Sequence, residues 1–336
     1  MLKLSFVLPC YNVERYIADC LDSIYAQDMS EEEFEVICVN DCSTDTTRSI
    51  IADYVSQHSN LTLIDHEQNM NVGAARNAGM EVAKGEYIWF VDPDDMLEQG
   101  CLSGLYENAK DNEVEVLLFN YCVVDENLVE MPQFAMRGKV FVDSLLMSGQ
   151  EFVMTYTPNR MSEHCIVWRC LFNNVFLKRN GLTFPLMSRG EDVSFMWRVL
   201  LCAKKVRSIS KSCYIYRSNS YSIARRSREA RVFFSARMLL ANEIVGMLEM
   251  HSLNSQLRDE MMKTLEWCVN SNLEGFVRMS HQELKNYYNE IVFHEEIVKK
   301  LKPYMSRKSK MMFFTKGGER LWLCIVNYFI KKKKSI

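Results

Sequence analysis

Apolar residues in the first 125 positions follow two alternating rhythms. Five short, nearly continuous runs have the length and the Val, Ile, Leu and Phe content of buried strands: LSFVLP (4–9), EVICVND (35–41), LTLIDH (61–66), EYIWFVD (86–92) and VEVLLFNYCVVD (114–125). Between them, residues 13–27, 45–57 and 71–84 place apolar side chains at helical intervals, and another helix separates the last two strands. Strand–helix alternation predicts an α/β protein with a mostly parallel sheet covered by helices on both faces. Ligands of such sheets bind beyond the carboxyl ends of the strands. Those ends hold Pro9-Cys10-Tyr11-Asn12, then Asn40-Asp41 followed by Cys42-Ser43-Thr44-Asp45, and Asp92-Pro93-Asp94-Asp95. Acids, amides and an aromatic ring therefore meet at one edge.

The rhythm breaks between about 126 and 185, where aromatic residues and no clear period are found. A helix is expected from Val193 to Ala203 and a strand-like run from Cys213 to Arg217, and residues 229–300 read as mainly helical. Residues 1–225 are expected to form an α/β domain, and 226–336 a helical extension.

With 48% apolar and 25% charged residues, the 336-residue chain has ample material for a core, which excludes disorder as its main state. Its net charge of −3 excludes a general nucleic-acid binder. The charge is uneven, however: from Lys299 onward twelve Lys and Arg residues stand against the single acid Glu319. There ERLWLCIVNYFIKKKK (319–334) joins a short apolar run to four lysines. The run is too short to cross a bilayer and suits either an interfacial helix on anionic lipid or a helix docked on the protein. The twelve cysteines form no C-x-x-C pair, and the amino-terminal apolar run is broken by Pro9 without a cleavage site. Reduced thiols in a cytoplasmic protein are expected, with peripheral attachment to the cytoplasmic face of the membrane through the tail.

Four clusters carry candidate chemistry. Asp92 and Asp94, one residue apart at a buried strand's end, form either a solvated acidic turn or a seat for one hard divalent cation, Mg²⁺ or Mn²⁺, shared with a diphosphate. Asp41 could accept from a pyrimidine imide N–H, whereas Asp45 suits a helix cap. Arg76 is a permanent cation on a helix near the same edge, either a surface residue or one facing a nucleotide. Glu191 and Asp192 open a helix, where acids are favoured by its dipole, and the pair could also supply a general base. There is neither a dinucleotide fingerprint nor a phosphate-binding G-x-x-x-x-G-K loop.

In order, the pieces VLPCYN, VNDCSTD, N-x-x-x-x-x-A-R-N-x-G, GEYIWFVDPDD, EDVSF and the Y-x-Y-R-x(4)-S of Tyr214 to Ser222 make residues 1–225 resemble the family 2 glycosyltransferases, which have the nucleotide-sugar-binding GT-A fold. The resemblance implies that Pro9, Tyr11, Asp41, Asn69, Arg76 and Asp92 receive the nucleotide-sugar donor, Tyr11 lying on the base. It implies Asp92 and Asp94 at Mn²⁺ or Mg²⁺, and Asp192, beside Glu191, as the base of an inverting transfer. A UDP-sugar donor and a saccharide or lipid-linked saccharide acceptor at the cell surface follow from the same resemblance. Asn40 stands where many relatives have Asp, Cys42 where many have Gly, and Asn71 where Gly is common. The rival readings are a sugar-1-phosphate nucleotidyltransferase, which would release pyrophosphate, and a non-catalytic nucleotide-sugar-binding assembly protein.

Overall fold

A computed structural model describes residues 2–131, 141–156, 166–218, 230–250, 252–270 and 295–304. They fall into two units, Met1–Leu186 with Glu191–Ser220 and Met187–Gly190 with Tyr221–Ile336. Residues 319–336, to which the lipid-binding expectation applies, lie outside the described residues.

The larger unit is built on an eight-stranded sheet of order β3-β2-β1-β4-β7-β6-β8-β5. Strands β1 (Leu4–Cys10), β2 (Phe34–Asn40), β3 (Leu61–Asp65) and β4 (Tyr87–Phe90) are parallel, with β1 between β2 and β4. All seven residues of β1 are buried, which explains its lack of polar alternation. Strand order reverses between β1 and β4, so their carboxyl ends flank the crevice where α/β sheets take ligands. Helices α1 (Ile17–Tyr25), α2 (Thr47–Gln57) and α3 (Asn71–Val82) make the crossovers. Helix α3 lies so close to β1 that a Cβ at Gly79 would collide with Val7.

The second half of the sheet is mixed. After β5 (Met96–Leu97) and α4 (Leu102–Asp111), β6 (Val116–Val124) pairs parallel with β8 (Val206–Arg217). Strand β7 (Cys170–Asn173) lies antiparallel to both β4 and β6, and β5 antiparallel to β8. The stretch without a period holds structure after all: α5 (Gly149–Tyr156), β7 and α6 (Asn174–Arg179). The Asn173 side chain accepts from Phe176 N–H at 2.9 Å, satisfying a donor at the start of α6. β8 starts at Val206, seven residues before the expected run, and its first half includes the polar, exposed Ser210 and Lys211, which interrupt the apolar signal. Helix α7 (Glu191–Cys202) completes the unit. In the core, Trp89 is fully buried and donates its indole N–H to the Trp168 carbonyl at 2.7 Å.

In the smaller unit, helices α8 (Ala230–Met250), α9 (Ser255–Asn270) and α10 (Glu295–Leu301) are described. Leu257, Met261 and Leu265 form the buried stripe of α9 at helical spacing. No helix among the described residues is long and apolar enough to cross a membrane.

Candidate active site

The loops after β1 and β2 are tied to each other. Asn12 takes a left-handed backbone (φ 52°), donates its N–H to Ser43 Oγ at 3.1 Å, and accepts from Thr44 N–H on its side-chain oxygen at 2.8 Å. Tyr11 is left 39% exposed beside this lacing, a flat ring at the mouth of the crevice, while Pro9 is buried inside β1 opposite Val39. Asn40 donates to Asp65 at 2.7 Å and accepts from Ser43 N–H at 3.1 Å. An aspartate there would set two carboxylates against each other, so the amide is a sensible departure. Asn71 does take the left-handed region (φ 71°), as its residue type allows, and so does Cys42 (φ 62°), where a Cβ is costly.

Asp41 is 3% exposed. Its Oδ1 accepts from Met70 N–H at 2.8 Å and lies 2.7 Å from His66 Nδ1. Asn69 reaches the Asp41 carbonyl at 3.3 Å, so Asp41 and Asn69 share one corner. His66 belongs to none of the sequence motifs, although it closes the third strand's apolar run and so lies at the same edge.

The turn after β4 carries three acids. Asp92 and Asp94 are half-buried, and Asp95 is buried. Asp95 N–H closes the turn onto the Asp92 carbonyl at 3.1 Å. Burial, and then the nearby charges of Asp94 and Asp92, push the Asp95 carboxyl well above the usual carboxylate range. It is held by the Tyr214 hydroxyl, which donates at 2.7 Å, and by Arg217 N–H at 2.7 Å. Asp95 and Tyr214 both stand inside the motifs above, but no local signal in the sequence marks either as a site residue.

Arg76 does not face outward. It is 4% exposed, and its guanidinium bridges Asp92 Oδ1 (2.8 Å) and Glu191 Oε1 (2.9 Å) over the Phe184 ring. Burial opposes its charge, but Asp92 and Glu191 outweigh that and hold it charged. One buried cation from α3 thus joins the turn after β4 to the first turn of α7. Gly73, one helical turn earlier, leaves room for this approach, because a Cβ there would come within 2.9 Å of the Pro185 carbonyl. Asp192 follows Glu191 and is half-buried, with Val193 N–H on its Oδ1 at 2.8 Å. Burial, then the charge of Glu191, push the Asp192 carboxyl up to about 7. That value suits a group that takes a proton near neutral pH.

Among the described residues no group of three or more His, Cys, Asp or Glu side chains could hold a metal. Asp92 and Asp94 nevertheless offer the hard oxygen chemistry that Mg²⁺ and Mn²⁺ take, and such ions keep places for phosphate and water. The donor set therefore fits an ion that arrives with a diphosphate.

The model of glycosyl transferase family 2 matches residues 5–164, which include the strand ends and the aspartate turn. Residues 5–164 form a glycosyl transferase family 2 domain. The curated relatives of this chain include a poly(ribitol-phosphate) beta-glucosyltransferase of Bacillus spizizenii, 33% identical over 64% of this chain and 32% of its own length. They also include the glycosyltransferase GlyG of Streptococcus pneumoniae, 27% identical over 79% of this chain and 89% of its own. The chain spans about a third of the length of the beta-glucosyltransferase. Among solved structures, the fragment 1-349 of Staphylococcus aureus TarS in complex with UDP-GlcNAc superposes with a TM-score of 0.71 at 21% identity, over 99% of this chain and 92% of that one. A mannosyltransferase of Pyrobaculum calidifontis in complex with GDP-Man and Mn²⁺ superposes with a TM-score of 0.55 at 14% identity, over 99% and 88%. These likenesses establish the fold, a GT-A sheet with helices carboxyl-terminal to it.

Proposed function

We propose that residues 1–225 transfer a sugar from a UDP-sugar to a saccharide or polyol-phosphate chain of the cell surface, with inversion at the anomeric carbon. The observation that carries the reading is the Arg76 bridge, which sets the strand-end aspartates and the α7 acids in one cluster. A donor seated on the first and an acceptor hydroxyl beside the second would meet within it. The complex of TarS with UDP-GlcNAc and the polymer acceptor in the names of the relatives support the choice of donor and acceptor.

In this reading Tyr11 stacks on the base and Asp41 accepts its imide N–H, using the oxygen left by His66 and Met70. Asp92 and Asp94 would hold Mn²⁺ or Mg²⁺, which would offset charge on the leaving diphosphate. Asp192 takes the proton from the acceptor hydroxyl. Glu191, engaged by Arg76, fixes the start of α7 and keeps a negative charge next to the base.

Donor binding tests the reading directly. Calorimetric titration with UDP-sugars is expected to give binding that needs Mn²⁺ or Mg²⁺ and weakens at least about tenfold in Asp94→Ala, because a diphosphate beside bare carboxylates is repelled. Equal affinity in EDTA, or in the variant, would remove the metal from the account.

The carboxyl-terminal sequence supports peripheral attachment to the cytoplasmic membrane face, and with it a lipid-linked acceptor. Deleting residues 319–336 should abolish binding to anionic vesicles at low salt, where electrostatic attraction is strongest. Sedimentation with vesicles checks this, and undiminished binding of the truncated chain would refute it.

A further inference from the structure

The turn that carries Asp92 and Asp94 is fixed from a strand more than a hundred residues away. The Tyr214 hydroxyl, on β8, donates to Asp95 Oδ2 at 2.7 Å and accepts from Asp92 N–H at 3.2 Å. One oxygen therefore holds both ends of the turn, with Asp94 between them. The ring cannot swing: Tyr214 is fully buried, stacked on Trp168 with centroids 4.4 Å apart and planes at 13°. The other oxygen of Asp95 is held by Arg217 N–H from the same strand. Arg217 in turn reaches Asp19 on α1 at 2.7 Å, and Tyr16 lies under its guanidinium. A core tyrosine needs one partner for its hydroxyl; this one has two, both in the acidic turn.

We propose that Tyr214 is a positioning residue for donor recognition, its hydroxyl fixing the Asp92–Asp95 turn so that the Asp92 and Asp94 carboxylates are pre-set for a metal-bound nucleoside diphosphate. This rests on the nucleotide-sugar reading above. The organising effect comes before binding, because both partners of the hydroxyl, the Asp95 carboxyl and the Asp92 N–H, belong to the protein itself. Freeing the turn makes the donor bear the cost of ordering it, which lowers affinity without removing any group that touches the donor.

Tyr214→Phe keeps the stacked ring and deletes only the hydroxyl. Asp95→Asn alters the partner, and a double variant joins the two. Phe152→Leu, a core truncation in α5, supplies a destabilised control. On the full chain, melting temperature is measured together with UDP affinity at saturating Mn²⁺ and with the Mn²⁺ concentration that gives half-maximal UDP binding. Tyr214→Phe should lower UDP affinity about tenfold and raise the Mn²⁺ requirement, whereas Phe152→Leu loses stability with donor affinity unchanged. The double variant should lose no more than the worse single one, because both act through one contact. If Tyr214→Phe does not fold, Asp95→Asn alone must show the same loss of affinity and the same rise in Mn²⁺ requirement. UDP affinity and Mn²⁺ requirement unchanged in folded Tyr214→Phe, or unchanged in Asp95→Asn, would overturn the inference while leaving the donor reading intact. Failure of the unaltered chain to bind UDP would overturn both.

Discussion

Asp192→Asn is expected to lower transfer to acceptor by about 10²- to 10⁴-fold while donor affinity stays near that of the unaltered chain. The substitution keeps the shape and the oxygen that accepts from Val193 N–H, and removes only the ability to take a proton. The same change should not weaken the fold. Burial and the charge of Glu191 push the Asp192 carboxyl up to about 7, above the value of about 4 for an unfolded aspartate. The folded chain therefore favours the protonated form, and this contribution to stability, full below about pH 4, is lost as pH rises through about 7. At pH 8 Asp192→Asn should melt at or above the temperature of the unaltered chain. Transfer by the unaltered chain should fall as pH drops below about 7, because the base must be ionised to act. A carboxylate that only capped α7 gives the reverse: lower melting temperature and normal turnover per folded molecule. Thermal melts and single-turnover transfer across pH on the same samples separate the two outcomes.

The second large effect is expected at Arg76. Arg76→Met leaves Asp92 and Glu191 facing one another without their shared cation, and breaking a buried ion pair in this way costs about 3–5 kcal/mol. For a unit of this size that corresponds to a fall in melting temperature on the order of 10 °C. Transfer should fall as well, because the aspartate turn and α7 lose their connection. Arg76→Lys should recover only part of both, since an ammonium cannot make the forked contact to two carboxylates held by different elements. Near-normal melting and transfer in Arg76→Met would mean that the bridge organises nothing.

What could be read from the sequence follows the local physics of each element. Strands β1, β2 and β4 announce themselves because parallel strands buried on both faces are written as unbroken apolar runs, whereas the edge strand β3 buries only Leu61. The acids at their ends could then be assigned to one edge from the architecture alone. Strand β5 has two residues and β7 four, too few to show a period, and β7 adjoins an aromatic stretch that resembles a loop. Arg76 could be placed on a helix near the correct edge, but not on its inner face. That face is decided by how α3 seats against β1 at Gly79 and by acids 16 and 115 residues away. The role of Tyr214 is non-local in the same sense, since its partner Asp95 is 119 residues distant. A motif such as Y-x-Y-R marks the position and cannot reveal what the hydroxyl holds.

The central claim is displacement at an anomeric carbon with a nucleoside diphosphate as leaving group. Proton NMR of the products formed from an α-linked UDP-sugar and a poly(ribitol phosphate) or lipid-linked saccharide acceptor observes both parts in one tube. The account predicts a β-linked product accumulating in step with free UDP. An α-linked product, or pyrophosphate in place of UDP, would contradict it.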